Sequence, residues 1–457
     1  MSHITDTVTP QHNIIRPPLV SGLPLLGSAL PLLRNPHDFV KKAYGEYGNV
    51  FRFRAAHQKY IILAGQDANR FVAGEGKDCF TVEGFWGEAF EHMGCPHGVV
   101  GVDGEIHKFQ RKLMSPHLVQ SAFKDKIPDL ASPIQDLITR NINKKRIRFG
   151  PLSRHMISNQ IGYNLQGYKT SHKKVEQMIY LFSSVMNVFG LRKWPKIMLY
   201  TPKILLAAAI TKKHVERTLK LSEQRSEEDK QTSPQYLDDI LPAMKAKPEW
   251  FTEGDIGMHA LLPFVAALDT VAATMGFMIF RLLNDPALYK RIQTEVDTHF
   301  ANGVPDLATL RSMQDLNGLV KETMRLQPTG FGITRTAAKD FVFQDHQVYK
   351  GESVIIFTTA DHTNPDYFPN PEKFDINRNS KERNEFKQPA FAPYGKGAHN
   401  CIGASLADIM MPLNMGLIVH QLTITAACDL NKVNVIFNPA PVLSNNFKVS
   451  FSSRSSS

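Results

Sequence analysis

Cysteine is scarce in this chain of 457 residues, which contains four: Cys79, Cys95, Cys401 and Cys428. Their spacing forms neither the framework of a disulfide-rich secreted domain nor the tight Cys-x-x-Cys pairs of a structural zinc site. This scarcity favours a protein of a reducing compartment, and we expect it in the cytoplasm.

The beginning of the chain lacks the basic start and the apolar core of a signal peptide. We expect residues 1–16 to form a polar, flexible arm. The segment 17–27 is apolar but is broken by proline and glycine, so it is too interrupted for a membrane helix. No linker-like stretch or internal repeat divides the remainder, and residues 17–457 are predicted to form a single domain.

Negative charge is also in deficit, since 43 acidic residues stand against 53 lysines and arginines, a net charge of +10. Such an excess favours acidic partners, namely a membrane surface, nucleic acid or an acidic electron-transfer protein. The basic residues are spread along the chain and no nucleic-acid-binding motif is present. We therefore expect no nucleic-acid partner.

The most informative stretch runs from Phe391 to Gly403 and reads Phe-Ala-Pro-Tyr-Gly-Lys-Gly-Ala-His-Asn-Cys-Ile-Gly. Glycine permits positive φ angles and a close approach of backbone to a flat ligand. Backbone N–H groups in such a turn, and at the start of the following helix, can stabilise a thiolate that binds a metal. A lone cysteine is more often a buried structural residue, but an inert thiol does not require glycines around it.

This stretch resembles the haem-binding loop of the cytochrome P450 family, whose pattern is Phe-x-x-Gly-x-Arg-x-Cys-x-Gly. Tyr394, Gly397, His399, Cys401 and Gly403 stand at the five defined positions, with Tyr in place of Phe and His in place of Arg. The resemblance implies haem b as cofactor, with the Cys401 thiolate as axial ligand of the iron. It also implies that Tyr394 lies beside the sulfur and that His399 donates to a haem propionate.

Three further basic positions follow the same family pattern. His107 and Arg111 are four residues apart on a predicted helix, so their side chains share one face. The family holds haem propionates with such a pair, and Arg335 matches another family arginine that binds a propionate. Taken alone, each of these residues would be interpreted as a solvated surface charge.

A zinc site is an alternative for His92, Cys95, His97 and His107, which are spaced loosely like metal ligands. Tight ligand pairs are missing from this segment. We favour a surface loop near the substrate.

The apolar segment 252–283 predicts the longest helix of the chain. Thr252 and Asp255 have the spacing of a capping box, and an Asn-Asp-Pro sequence follows the segment. Residues 261–280 contain one charge and could cross a membrane by length and composition. Because Asp269 would be costly in lipid, we predict instead a helix buried through the middle of a soluble protein.

Within this helix, residues 266–270 read Ala-Ala-Leu-Asp-Thr and resemble the oxygen-activation motif of the family. The resemblance implies that Asp269 and Thr270 are catalytic and supply protons to dioxygen, and that Ala266 lines the substrate pocket. Ala267 stands where the family usually has glycine. A threonine bonded to the carbonyl one turn earlier would explain Thr270 but not the adjacent acid.

Glu322 and Arg325 are three residues apart on another predicted helix and therefore face each other. Such pairs are usually exposed and contribute little to stability. The resemblance identifies them, together with Arg378, as a buried structural ion cluster.

By resemblance, the substrate pocket also includes Phe331, Ile333, Thr334 and Leu443, although core packing explains Phe331 and Ile333 equally well. The segment 185–210 mixes apolar and basic residues. It suits a lid over the pocket or peripheral contact with a membrane, and ordinary core packing is an equal alternative.

These motifs together predict a mainly α-helical protein with small β-sheets, the cytochrome P450 fold, with one haem domain, a β-rich N-terminal part and a helical core. The implied activity inserts one atom of dioxygen into a lipophilic small molecule. Electrons would come from NAD(P)H through a separate ferredoxin or flavoprotein reductase, because no flavin or iron–sulfur sequence is present.

The resemblance is to the soluble, bacterial-like type without a membrane anchor. Two alternatives stay open. One is a haem-thiolate enzyme that uses peroxide or isomerises hydroperoxides, and the other is a non-catalytic haem carrier or sensor.

Overall fold

Helices dominate the computed structural model, which describes residues 14–190, 192–437 and 440–454. In these residues the α-helices are α1 Ala29–Arg34, α2 Pro36–Tyr47, α3 Gly65–Ala73, α4 Glu83–His92, α5 Gly104–Met114, α6 Ile127–Asn141, α7 Phe149–Gln166, α8 His172–Val185, α9 Pro202–Glu223, α10 Glu227–Thr232, α11 Tyr236–Lys245, α12 Glu253–Asn284, α13 Pro286–Phe300, α14 Leu307–Ser312, α15 Gln314–Leu326 and α16 Ala404–Gln421.

The strands are short. They are β1 Val50–Ala55, β2 Gln58–Ala64, β3 Phe80–Thr81, β4 Ile147–Arg148, β5 Ile333–Ala337, β6 Phe341–Phe343, β7 His346–Val348, β8 Ser353–Phe357, β9 Leu422–Ala426, β10 Val435–Phe437, β11 Pro441–Leu443 and β12 Lys448–Ser453. A mainly helical, single-domain fold with small sheets is confirmed.

The largest sheet has the order β1-β2-β8-β5-β3, and only the β2–β8 pair is parallel. Its first two strands form the hairpin predicted from residues 50–54 and 60–64. In β5, Arg335 lies opposite Val354 of β8. Ile333, two residues earlier and on the same face of the strand, lies next to Gly395 of the loop 391–403 that carries Cys401, called the cysteine loop here. The sheet thus presents one cation to the candidate site.

The central element is α12, which has 32 residues and is about 48 Å long. Its capping box is confirmed: the Asp255 N–H donates to Thr252 Oγ1 at 3.2 Å, and the Thr252 N–H donates to Asp255 Oδ2 at 2.8 Å. It packs on α7, α9, α15 and α16. It is the one helix in the described ranges that is long and apolar enough to cross a membrane, and 67% of its most apolar window is buried in the protein.

Residues 1–13 of the predicted arm lie outside the described residues. Its last residues are not free: Ile15 forms a β-bridge with His346, and Arg16 Nη1 donates to Glu352 Oε2 at 3.0 Å. The arm, as far as it is described, is therefore attached to the β6–β7 region.

Candidate functional site

Cys401 lies where the glycine-rich loop meets the N-terminus of α16. The Cys401 N–H donates to the Tyr394 carbonyl at 2.9 Å, and the Asn400 N–H donates to the Gly397 carbonyl at 3.1 Å. Gly397 has φ +85°, and a Cβ at this position would lie 2.9 Å from the Val72 carbonyl oxygen. The loop therefore needs glycine here both for its conformation and for its contact with α3.

The Cys401 thiol is solvent-accessible although protein surrounds it, so it lines a recess rather than the outer surface. Burial raises its pKa, whereas the backbone N–H groups of Gly403 and Ala404 and the charge of Arg111 act to lower it. Neighbours that favour the thiolate suit a metal ligand. The thiol also has an open side on which a ligand can bind.

Arg335 is a buried cation beside this recess, with 7% of its surface exposed. Its Nη1 donates to the Thr334 carbonyl at 2.8 Å, and no carboxylate lies within ion-pair distance in the described part of the chain. Burial lowers its pKa to about 10, against the opposing charge of Asp103. A buried guanidinium without an ion-pair partner fits an anionic ligand.

His107 and His399 stack with their ring centroids 3.8 Å apart and their planes at 26°. Burial, followed by the charges of His399 and Arg111, lowers the pKa of His107 to about 4. The structure thus brings together His107 of α5 and His399 of the cysteine loop, two of the predicted ligand contacts. Together with the residues bonded to them, they form one layer of side chains.

Asp103 also belongs to this layer and was missed in the sequence. It accepts hydrogen bonds from His399 Nε2 at 2.8 Å, from Thr81 Oγ1 at 2.7 Å and from the Val82 N–H at 2.7 Å. Burial opposes its ionisation, but these bonds outweigh it and lower the pKa of Asp103 to about 2. Its position before α5 suggests a helix cap, yet its side chain makes no capping bond.

Arg111 contacts the cysteine loop directly. Its Nη1 donates to the Asn400 carbonyl at 2.8 Å, and its Nη2 donates to Asn400 Oδ1 at 2.7 Å. Arg111 therefore stabilises the loop as well as lying near the thiol.

Tyr394, at the family's phenylalanine position, lies in the same loop. Its hydroxyl donates to the Asp408 carboxylate of α16. Burial and the charge of Asp408 raise the pKa of Tyr394.

The middle of α12 is open on one side, where Ala266 is exposed between residues that are buried or half-buried. Thr270 Oγ1 donates to the carbonyls of Ala266 at 3.1 Å and Ala267 at 3.3 Å. Thr270 thus faces the same side as Ala266, one helical turn away.

Asp269 lies on a different face of α12, and in the described residues no hydrogen bond joins it to Thr270. Its Oδ1 is 3.8 Å from Arg154 Nη1, and Arg154 Nε in turn donates to Glu176 Oε1 at 3.1 Å. Asp269 lines a small cavity of about 70 Å³ between α7, α12 and the β10–β11 hairpin. Burial raises its pKa, against the charge of Arg154.

Glu322, Arg325 and Arg378 form a buried cluster in which every side chain is at most 1% exposed. Arg325 Nη2 lies 2.6 Å from Glu322 Oε1, and Arg378 Nε lies 3.2 Å from the same oxygen. Glu385, which the sequence did not identify, binds Arg378 Nη1 at 2.7 Å.

His362 joins this cluster to the cysteine loop. Its Nδ1 donates to the Arg325 carbonyl at 3.1 Å, and its Nε2 accepts the Ala392 N–H at 3.1 Å. Because an N–H cannot accept, these two bonds require a neutral ring with the proton on Nδ1. Burial lowers the pKa of His362 to about 3, which agrees with that state.

A cavity of about 1130 Å³ lies along the N-terminal half of α12. It is lined mainly by apolar side chains of α8 and α9 and by the loop at 92–95, and it reaches Leu261 and Val265, next to Ala266. Sequence reasoning missed most of these residues, since periodicity alone does not distinguish core from pocket wall.

The predicted pocket residues are divided between different places. Ile333 and Thr334 are half-buried on β5, and Ile333 lies next to Gly395 of the cysteine loop. Phe331 packs edge-on against Phe357, with ring centroids 6.0 Å apart. Leu443 lies against Gly276 and lines the small cavity of Asp269. Leu443 is therefore not on the side of α12 that carries Ala266 and Thr270.

In the described residues, no group of three or more His, Cys, Asp or Glu side chains could hold a metal ion. His92, Cys95, His97 and His107, the alternative zinc set, therefore form no such group, and His107 stacks on His399 instead. The accessible thiol and the buried cations instead fit haem b. Cys401 would hold the iron, while Arg335, Arg111, His107 and His399 would lie near the propionates.

Comparison with known proteins agrees with this geometry. The family model for cytochrome P450 matches residues 17–448. The chain is 25% identical to cytochrome P450 120 of Synechocystis sp. over 439 residues, covering 95% of this chain and 96% of that protein. It is 24% identical to human cytochrome P450 3A7 over 423 residues, covering 86% and 82% of the two chains.

A solved structure, described as retinoic acid bound cyanobacterial CYP120A1, superposes with a TM-score of 0.81 at 23% identity. The match covers 96% of this chain and 100% of that one, and it shows a common fold. With the family model matched over nearly the whole sequence, the chain belongs to the cytochrome P450 family of haem-thiolate oxidoreductases.

Proposed function

We propose that this enzyme inserts one atom of dioxygen into a lipophilic small molecule, with electrons from NAD(P)H delivered by a separate ferredoxin or flavoprotein. The observations that carry the proposal are the solvent-accessible Cys401 in its glycine-rich loop and the large apolar cavity along the N-terminal half of α12. A lipophilic substrate matches the lining of that cavity. Among family members, this arrangement favours a monooxygenase over a carrier.

Haem bound at Cys401 would supply the binding and activation of dioxygen. The residues of the chain would hold it from two directions. Cys401 would hold the iron through its thiolate, which the N–H groups of Gly403 and Ala404 would stabilise. Arg335, which has no ion-pair partner of its own in the described chain, would neutralise a propionate.

Asp269 and Thr270 are proposed to transfer protons on the distal side. The Thr270 hydroxyl faces the side of α12 that carries Ala266, while the Asp269 carboxyl borders the small cavity. Because burial raises the pKa of Asp269, its carboxyl retains a proton at a higher pH than an exposed acid does. Since no hydrogen bond joins the two side chains in the described residues, the proposed transfer requires Asp269 to leave Arg154 and to turn toward the face of α12 that carries Thr270.

The test is oxygen-dependent turnover of the haem-loaded enzyme with a reductase. The reduced carbon monoxide complex should show the red-shifted Soret band of thiolate ligation. Thr270→Ala should lower product yield per NAD(P)H and raise peroxide release. Turnover with peroxide alone would favour the peroxide-using alternative, and a substrate-induced spin shift without product would favour the carrier or sensor.

The substrate class can be narrowed by a spectral binding screen with lipophilic compounds. The similar cyanobacterial structure contains retinoic acid, so elongated lipophilic acids belong in that screen beside sterols, fatty acids and terpenoids. The cavity of about 1130 Å³ has room for molecules of this size. Compounds that shift the haem spectrum would then be tested for turnover, which identifies the substrates among them.

We also propose peripheral contact of the segment 185–210 with an anionic membrane. Its buried side includes Phe189 and Leu199, but Ile197 is 69% exposed and Leu206 58% exposed. Lys193 lies among these residues in the sequence. Exposed apolar and basic side chains together are typical of interfacial segments.

Sedimentation with phosphatidylserine vesicles tests this contact. Ile197→Ser with Leu206→Ser should release the enzyme from the vesicles, because two exposed apolar side chains are lost. Neither residue lines the large cavity, so the double variant leaves the cavity wall unchanged. Val342→Ser, which alters an exposed apolar residue elsewhere, is the matched control. Equal sedimentation of all three proteins would contradict the proposal.

A further inference from the structure

The hydroxyl that distinguishes Tyr394 from the family's phenylalanine has a specific partner. It donates to Oδ1 of Asp408, which lies in the second turn of α16. The backbone carbonyl of the same tyrosine accepts the Cys401 N–H at 2.9 Å. One residue therefore connects the Asp408 carboxylate to the loop that carries the thiol.

Asp408 is a carboxylate held inside the protein. Burial raises its pKa, and the Tyr394 hydrogen bond and the charges of Lys321 and Arg311 act against that shift. Neither cation lies within ion-pair distance of it in the described part of the chain, and Lys321 Nζ instead donates to Asn379 Oδ1 at 2.8 Å. Tyr394 is its one hydrogen-bond donor there.

The carboxylate lies close to the cysteine in the fold. Helix α16 begins at Ala404, three residues after Cys401, and Asp408 lies four residues further, a rise of about 6 Å along the helix axis. Two anions at such a short separation repel each other. Such repulsion is retained in the protein interior, where charges are poorly screened.

We propose that Asp408, oriented by Tyr394, is a positioning residue that adds a second negative charge behind the Cys401 thiolate and lowers the reduction potential of the bound haem. This inference rests on the proposed thiolate ligation. A nearby negative charge stabilises the ferric state over the ferrous state, which carries one positive charge less. A unit charge about 10 Å away, in an effective dielectric of about 20, changes such an equilibrium by about tenfold.

The test is a spectroelectrochemical titration of the holoenzyme. Asp408→Asn should raise the potential by the equivalent of about tenfold in the ferric/ferrous equilibrium, or about 59 mV. Asp408→Glu keeps the charge and should restore the potential of the unmodified enzyme. Tyr394→Phe removes the hydrogen bond that lowers the pKa of Asp408 and so favours the protonated, neutral acid. The potential should therefore shift in the same direction as in Asp408→Asn.

Glu295→Gln is the matched control, since Glu295 is another buried carboxylate whose acceptors are satisfied by N–H groups of α15. Its potential should equal that of the unmodified enzyme. An unchanged potential in Asp408→Asn, or an equal shift in Asp408→Glu, would overturn the inference. If Asp408→Asn does not retain haem, an unshifted Tyr394→Phe enzyme overturns it instead.

The carbon monoxide spectrum distinguishes a failure of the proposed thiolate ligation from a failure of the proposed role of Asp408. Loss of the thiolate band already in the unmodified enzyme would refute the ligation itself. A thiolate band in every variant with no change in potential would refute only the role of Asp408.

Discussion

At the residue scale, Arg335 is a buried cation whose charge is not paired within the described residues. Asp103, in contrast, is occupied by His399, Thr81 and Val82. Arg335 therefore remains available for an anionic ligand. Because Asp103 accepts hydrogen bonds from three groups, its replacement should destabilise the layer of side chains that contains His107 and His399.

Asp103→Asn should reduce stability in a pH-dependent way. The pKa of Asp103 in the folded protein, about 2, is below that of an unfolded aspartate, about 3.9. Its contribution is therefore fully present above about pH 4 and disappears as the pH falls toward 2.

Urea unfolding at several pH values should show the largest difference between the two proteins near neutral pH and a smaller one at about pH 3. Asp366→Asn, which alters an exposed carboxylate, is the control. A difference that grows as the pH falls would contradict the assignment.

Removal of one member of the buried ion cluster should be severe. Glu322→Ala or Arg325→Ala leaves a charge unpaired in the interior, at a cost of about 3–5 kcal/mol. The expected product is poorly folded protein without haem, measured by the ratio of Soret to protein absorbance. Arg291→Ala breaks the more exposed pair with Asp315 and should cost about 1 kcal/mol or less. Normal haem content in either cluster variant would refute the role of the cluster.

At the scale of elements, the sequence predicts those features whose residues are close together along the chain. The capping box of Thr252 and Asp255, the β1–β2 hairpin and the glycine-rich loop each depend on residues a few positions apart. Asp103 and Asp408 could not be predicted in the same way, because their partners are set by tertiary packing. Asp103 lies 296 positions from His399, and no local pattern reports such a contact.

The contact between the cysteine loop and α3 can be tested by comparing two glycines that have the same φ angle. Gly397 and Gly351 both have φ +85°, but only Gly397 lies against backbone, 2.9 Å from the Val72 carbonyl at the position of an added Cβ. Gly351→Ala should cost about 1–2 kcal/mol for the left-handed conformation alone. Gly397→Ala should cost more and should weaken haem binding, because the loop must move off α3.

Chemical denaturation and haem transfer to an acceptor protein would measure both effects. Equal losses in the two variants would show that the contact with Val72 is unimportant.

At the scale of the whole molecule, the net charge is +10, and part of this positive charge lies next to the loop that carries Cys401. Arg111 binds Asn400 of the cysteine loop, and the next residue, Lys112, is exposed. Lys108 is also exposed but is paired with Glu105 at 2.9 Å. Lys112 is thus the better candidate for contact with an acidic electron donor.

Lys112→Glu should slow reduction by an acidic ferredoxin several-fold at low ionic strength. The difference should fade at high salt, since charges are screened beyond about 10 Å at 0.1 M. Stopped-flow reduction measures both quantities. Lys213→Glu on α9 changes the net charge by the same amount at a position away from the loop, and it should have little effect on the rate. An unchanged rate for Lys112→Glu would exclude this docking face.

The link through His362 has a consequence for the order in which the protein comes apart. Since one imidazole is bonded to Arg325 at one nitrogen and to Ala392 at the other, the loop cannot open at Ala392 without breaking its connection to α15. The Ala392 amide should then exchange with deuterium at nearly the rate of global unfolding, much more slowly than the short loop around it would suggest.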